Sequence, residues 1–407
     1  MGFENKGWKK KGEKQGGARG AGELGGVYIN EATGKEALIK KDSESVNFDI
    51  AEYMCSKVFE AVAPGSGAKV EFIVPDGEVA KKDNIYVISE FFADYNDMYK
   101  DMDKKLHSDA ASKIARKDGR PMFMGTREWL NNTLTKAFRV RNYRDFDKIA
   151  PLSLLVGDFD IHPGNIGVVG DEDKGEGLKL VRIDFGWGFA NLEGDVHPHN
   201  RSKHLPGAGP TNHYLEFPEL EKTNEFFFQG LYRAGTVDLT QVLSDAFDTV
   251  VTFYHDVRKD KDGNVIPFRV DDKNNADEIV LNWGRHAFKQ SKETFKGKKN
   301  ADIKKDVLGM MKFRQRSLLI YALQIKLGQL IDTKGGYINT AAAEIDLYAR
   351  DPLLREAMIE MERNKEHRKV RFQRKAVKES VLLTVINKAL KNTKNLPASD
   401  YGEESKF

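Results

Sequence analysis

"GDFDIHPGNIGV", residues 157–168, decides how the rest of the chain is read. Asp158 and Asp160 flank Phe159, a His162-Pro163-Gly164-Asn165 turn follows, and apolar residues lie on both sides, Pro151–Val156 before and Ile166–Val168 after. Asp160 and Asn165 stand as D-x-x-x-x-N. Further on, "VRIDFG" places Asp184 after a second apolar run. The flanking apolar residues predict two short strands that carry the motifs side by side. An Asp, an Asn and a second Asp arriving from adjacent loops are oxygen ligands, which suit a hard divalent cation. One carboxylate left over can take a proton from an attacking hydroxyl. These are the parts that phosphoryl transfer needs.

Composition narrows the field. The chain has 407 residues, 40% of them hydrophobic, which is enough for more than one core. Cys55 is the only cysteine, so an internal disulfide and a cysteine-built zinc site are excluded. The formal net charge of +3 names no partner. Residues 1–20 lack the apolar segment of a secretory signal. The apolar patch Leu318–Leu330 is interrupted by Gln324 and Lys326 and falls short of the roughly 20 apolar residues a membrane span needs.

Outward from the motifs, the pattern predicts an α+β chain. Residues 1–19 read as a flexible basic tail, with Lys9, Lys10 and Lys11 among glycines. Val27–Asn30 and Ala37–Lys40, separated by "NEATGKE", predict a hairpin. Ile50, Met54, Val58 and Ala61 recur with a helical period. Residues 68–74 and 84–92 alternate like strands. From Tyr95 on the pattern is mostly helical. The segment 190–218, rich in His, Pro, Gly and Asn, reads as a long ordered loop.

With these residues in view, the chain resembles the protein-kinase superfamily, and "DIHPGN" looks like the catalytic loop of its atypical branches. The resemblance implies that Asp160 is the catalytic aspartate and that Asn165 and Asp184 hold Mg2+ or Mn2+. It implies a phosphate-binding lysine, read as Lys40 at the end of "ALIK", with Glu52 to fix its ammonium. Lys41 would point to the other face of the strand. "GAGELGGV" carries the glycine-rich pattern through Gly22, Gly25 and Gly26, whose bare backbone lets N–H groups approach the phosphates of ATP. Whether the loop starts at Gly20 stays open. Adenine would meet the chain near Ser89–Phe92, with Ile88 or Phe91 packing on it.

The resemblance implies a two-lobe kinase-like fold: an N-lobe over 20–92, a C-lobe over 93–330, and a helical C-terminal extension with a polar tail over 331–407. Together, "LGGVY", "LIKKD", "IAEYMCSKVFEA", "GDFDIHPGNIGV", "VRIDFG" and "LPGAGPTNH" look like atypical kinases among Legionella-type secreted effectors. That likeness implies a bacterial protein delivered into the cytoplasm of a host cell, acting on a host protein.

Departures carry their own expectations. Phe159 stands where the family has the arginine that receives an activation-loop phosphate, and Asp158 is expected to matter less than Asp160. His197, His199, His204 and His213 invite a zinc reading, set aside for a rigid substrate or activation segment. Basic clusters at Arg139, Arg141 and Arg144, at Arg201 and Lys203, and at Arg368 and Arg371 fit either a solvated face or a polyanion such as an inositol polyphosphate. No aromatic residues alternate with them, so nucleic acid is not expected. The acceptor is read as a protein Ser or Thr. The alternatives are a phosphoinositide or small-molecule kinase, a pseudokinase binding module, and an adenylyltransferase.

Overall fold

Alternation and a turn residue build the first hairpin. Strands β2 (Gly26–Asn30) and β3 (Glu36–Lys40) pair antiparallel, with Val27 opposite Leu38. Asn30 closes the turn, its side-chain oxygen accepting the N–H groups of Ala32 and Thr33, both at 3.1 Å. Helix α1 (Val46–Val62) follows. Its Ser45 cap accepts the Asn47 N–H at 3.2 Å, and Ile50, Met54 and Val58 are fully buried. Strands β4 (Val70–Ile73) and β5 (Tyr86–Glu90) complete the layer against which α1 packs.

The chain is described here by a computed structural model covering residues 2–14, 21–42, 45–80, 84–98, 101, 116–117, 120–121, 143–158, 164–170, 177–190, 192, 225–254, 278–288, 297–333 and scattered positions over 353–389.

The N-terminus departs from the sequence reading. Residues 8–12 are not tail: Trp8–Gly12 forms β1, which pairs antiparallel with β2. The sheet order is β1-β2-β3-β5-β4. Phe3 anchors this strand, buried edge-on against Tyr28 and Tyr86 at ring distances of 5.5 and 5.6 Å. The reason for the misreading is physical. β1 is an edge strand, and its lysines stay exposed, with Lys9 paired to Glu31 and Lys11 to Glu36. Charged edges block pairing with other chains, and they resemble a solvated tail in sequence. The glycine-rich stretch therefore joins β1 to β2 rather than preceding the first strand.

Around the motifs the elements also differ from expectation. Pro151–Val156 belongs to a helix, α2 (Phe146–Val156), which Gly157 ends at φ 67°. The strands of this region are β6 (Tyr95–Asp97), the short pair β7 (Arg116–Lys117) and β8 (Arg120–Pro121), then β9 (Ile166–Val169), which follows the first motif, and β10 (Lys179–Arg182), which leads into the second. β10, β9 and β6 form an antiparallel sheet in that order, so β6 is strand where the pattern suggested helix. Among the helices that follow in the described residues are α3 (Glu225–Thr236), α4 (Thr240–Phe253), α5 (Glu278–Phe288) and α6 (Asn300–Thr333).

The fold is α+β, an antiparallel sheet with one helix followed by a mainly helical region, which is the architecture expected of a two-lobe kinase-like fold. Two units divide it. One comprises Met1–Glu216 and Leu239–Lys312 and holds every residue of the site described below. In the other, Phe217–Asp238 and Phe313–Phe407, Gln315 donates to the carbonyls of Ala234 and Val237 at 3.1 and 2.6 Å. Most of the expected C-terminal extension lies outside the described residues. Among the described residues, no helix is long and apolar enough to cross a membrane.

Candidate active site

Register decides which side chains face the site. Ile39 pairs with Ile88, and both belong to a cluster with Phe3, Tyr28, Ala37, Ile73 and Tyr86 on one face of the sheet. Lys40, opposite Val87, and Leu38, opposite Ser89, therefore face the other side, where α1 lies. Ile88 faces away from the side on which Lys40 and α1 lie. Ser89 is buried on the α1 side, and Phe91, just past β5, is 42% exposed.

Lys40 Nζ lies 2.8 Å from Glu52 Oε2 and 3.1 Å from Asp184 Oδ1. The structure thus draws together a strand, a helix and the turn after β10. Burial pulls the Lys40 ammonium down, but the Asp184 and Glu52 carboxylates outweigh it and hold the proton more firmly than usual. Burial also pushes Glu52 up, against the pull of Lys40. Asp184 goes the other way: Lys40 lowers it to about 2, so it is ionised at any physiological pH. Its side chain is 53% exposed, and its backbone sits in the left-handed region at φ 56°. Asp tolerates that region better than most residues, and a strained turn of this kind is typical of sites where one group must be presented.

Asn165 directly precedes β9, and Ile183 and Asp184 directly follow β10. Ile166 pairs with Arg182, and the Ile183 N–H donates to the Asn165 carbonyl at 3.1 Å, which joins the two loops. Phe185 is buried beside Phe59 of α1, with ring centroids 4.7 Å apart. Behind it, a Cβ on Gly188 would lie 2.0 Å from Cys55 Sγ, so only glycine lets the chain pass so close to α1. Asp160 lies outside the described residues.

Two features escaped the sequence reading. The first concerns Asp158. It is fully buried in an ion pair with the equally buried Arg182, Oδ2 to Nη2 at 2.6 Å. The signal was an arginine inside the apolar run before Asp184. The second is Lys14, half-buried just beyond β1. Burial, and then the charge of Lys40, lowers its pKa, while Asp184, Glu52 and Asp42 pull it back up. The pairing of Gly12 with Val27 carries the chain to the glycine-rich end of β2, which brings this cation within electrostatic reach of the site.

In the glycine-rich stretch, Gly22 adopts φ 81° and a Cβ on Gly25 would strike the Ala21 carbonyl oxygen at 2.1 Å. Gly26 opens β2, where a Cβ would strike the Gly12 carbonyl oxygen at 2.5 Å. Arg144 places its guanidinium on the Gly177 carbonyl at 2.9 Å. Arg139, Arg141, Arg201, Lys203, Arg368 and Arg371 lie outside the described residues, as do the four histidines of the zinc reading.

Residues 90–257 match the family model described as the LepB N-terminal domain, which is less than half of the chain. No curated protein matches it. Among solved structures, it is similar to the crystal structure of a Helicobacter pylori proinflammatory kinase, CtkA, at 14% identity and a TM-score of 0.43, covering 78% of this chain and 98% of that one.

Proposed function

We propose that the chain transfers the γ-phosphoryl group of ATP to a hydroxyl acceptor, with a protein Ser or Thr as that acceptor. The observation that supports this reading is the meeting of Lys40, Glu52 and Asp184 from three separate elements, with one ionised carboxylate left half-exposed. Glu52 holds the Lys40 ammonium in place, and Lys40 would hold the α- and β-phosphates. The glycine-rich stretch would cover the phosphates with backbone N–H groups. Asp184 and Asn165 fit a divalent cation by donor type: an ionised carboxylate and an amide on loops joined by a backbone hydrogen bond. Once bound, Mg2+ or Mn2+ would neutralise charge on the phosphates. Asp160 would orient the acceptor hydroxyl and take its proton.

The setting inferred from the resemblance is the cytoplasm of a host cell, with a host protein as substrate. An inositol polyphosphate bound by one of the basic clusters would serve as activator, and calorimetric titration tests that binding. The deciding experiment incubates the purified protein with Mg2+ or Mn2+ and ATP labelled at either the α or the γ position. Host extract and phosphoinositide vesicles serve as acceptors. Label reaching protein from the γ position alone supports the reading. Label from the α position means adenylylation, label on lipid alone changes the acceptor, and no metal-dependent transfer at all overturns the assignment.

A further inference from the structure

Arg182 is fully buried, and its side chain reaches both loops of the site. Its backbone N–H donates to the Ser66 carbonyl and its own carbonyl accepts from the Ala68 N–H, both at 2.8 Å. That fixes the loop leaving α1, the helix that carries Glu52. Its guanidinium binds Asp158 at 2.6 Å and donates to the Asn165 carbonyl at 2.7 Å and to the Ile183 carbonyl. The guanidinium carbon also lies 5.5 Å from the centre of the Phe185 ring. Phe159 alone separates Asp158 from Asp160, and Ile183 alone separates Arg182 from Asp184.

A sealed ion pair is a poor way to gain stability. Two charges lose their hydration, and well-packed apolar replacements of similar size are often as stable or more so. Here the planar fork reaches the start of one loop, the end of that loop, and the turn carrying Asp184. A point charge on a flexible stem would not hold several acceptors in fixed relation. We propose that Arg182, locked by Asp158, is a positioning residue: it sets the distance between Asn165 and Asp184 and so tunes how the site takes a metal–nucleotide complex. The inference rests on the phosphotransfer reading and adds to it a role for a pair that touches neither nucleotide nor acceptor.

The test separates positioning from folding. The double variant Asp158→Leu/Arg182→Met replaces the pair by apolar groups, Arg182→Lys keeps the charge without the fork, and Asp158→Asn keeps the shape. For each, melting is measured, and calorimetry gives the affinity for ATP without metal and for Mn2+-ATP. Transfer kinetics are split into kcat and KM. Residues that orient metal ligands from behind change metal affinity or activity by about 10- to 100-fold. The double variant is expected to melt near the wild type and to bind metal-free ATP unchanged. It should lose that range from both the metal-dependent gain in affinity and kcat, with Arg182→Lys in between. If the double variant does not fold, Asp158→Asn carries the same comparison. A folded variant with wild-type metal dependence and kcat overturns the positioning role and leaves the phosphotransfer reading standing. A wild type that binds no Mn2+-ATP overturns the reading, and this inference with it.

Discussion

Two charge clusters, joined in sequence where Ile183 alone separates Arg182 from Asp184, are built to opposite ends. Asp158 and Arg182 are sealed from solvent, and each charge meets its opposite. Around Lys40 two carboxylates share one ammonium, and Asp184 keeps about half of its side chain in water. The first cluster is balanced and closed. The second carries an excess of acid that faces outward, so a cation has reason to join it. Chemistry calls for the unbalanced arrangement and geometry for the balanced one, and placing Arg182 so close to Asp184 lets the closed cluster steer the open one.

The comparison can be broken at either cluster. Asp184→Ala should have the largest effect, cutting γ-phosphoryl transfer by about a thousandfold or more while melting is unchanged or slightly raised. Transfer near the wild-type rate would show that the open cluster is not the site. Asp158→Ala should instead act on the fold, since it strands a buried guanidinium. Urea unfolding should show a loss of about 3–5 kcal/mol. A loss below about 1 kcal/mol would mean that water reaches the pair.

Lys40→Ala and Glu52→Gln should each lower transfer by roughly a hundredfold, and the double variant should be little worse than either alone, because the two side chains act as a unit. Multiplied losses would mean they work separately.

Asp49 is a third case, a buried acid with no ion pair among the described residues. Burial pushes it up to about 8, although both carboxylate oxygens lie near the Asp42 N–H, at 3.1 and 3.3 Å. The folded state therefore keeps a proton that the unfolded chain releases near pH 4. The contribution of Asp49 to stability should be greatest below that value and fall as pH rises toward 8, by about 1.4 kcal/mol for each pH unit between 5 and 7. Asp49→Asn should flatten the slope, and an unchanged slope would show that Asp49 ionises freely. Lys14→Ala should have the smallest effect, raising KM for ATP about two- to fivefold, as expected of a half-exposed charge. No change would place Lys14 outside the phosphate field.

Legibility followed periodicity. β2, β3, α1, β4 and β5 could be read because their apolar residues recur at the periods of strand and helix, and Lys40 could be found because it ends such a run. β1 could not, because its strand character lies in pairing with β2 while its side chains are those of a solvated segment. The helical run Pro151–Val156 was read as strand because a short apolar stretch has no period to distinguish the two. Arg182 stands within "VRIDFG", but its role is not legible there. Its partner Asp158 lies far away in sequence, and a charge inside an apolar strand says only that some partner exists.

The anchored N-terminus has a practical consequence for handling this protein. Shortening it by the residues that look like a dispensable basic leader would remove β1 and leave β2, "GVYIN", as the new rim of the sheet. The Phe3 ring would vanish from between Tyr28 and Tyr86, and with it the clasp in which the Asn5 N–H binds Asp76 at 2.7 Å. An uncharged, β-prone rim with unpaired N–H and C=O groups recruits other chains. Trimmed preparations should therefore precipitate or form soluble aggregates, and an affinity tag is better carried at the opposite terminus.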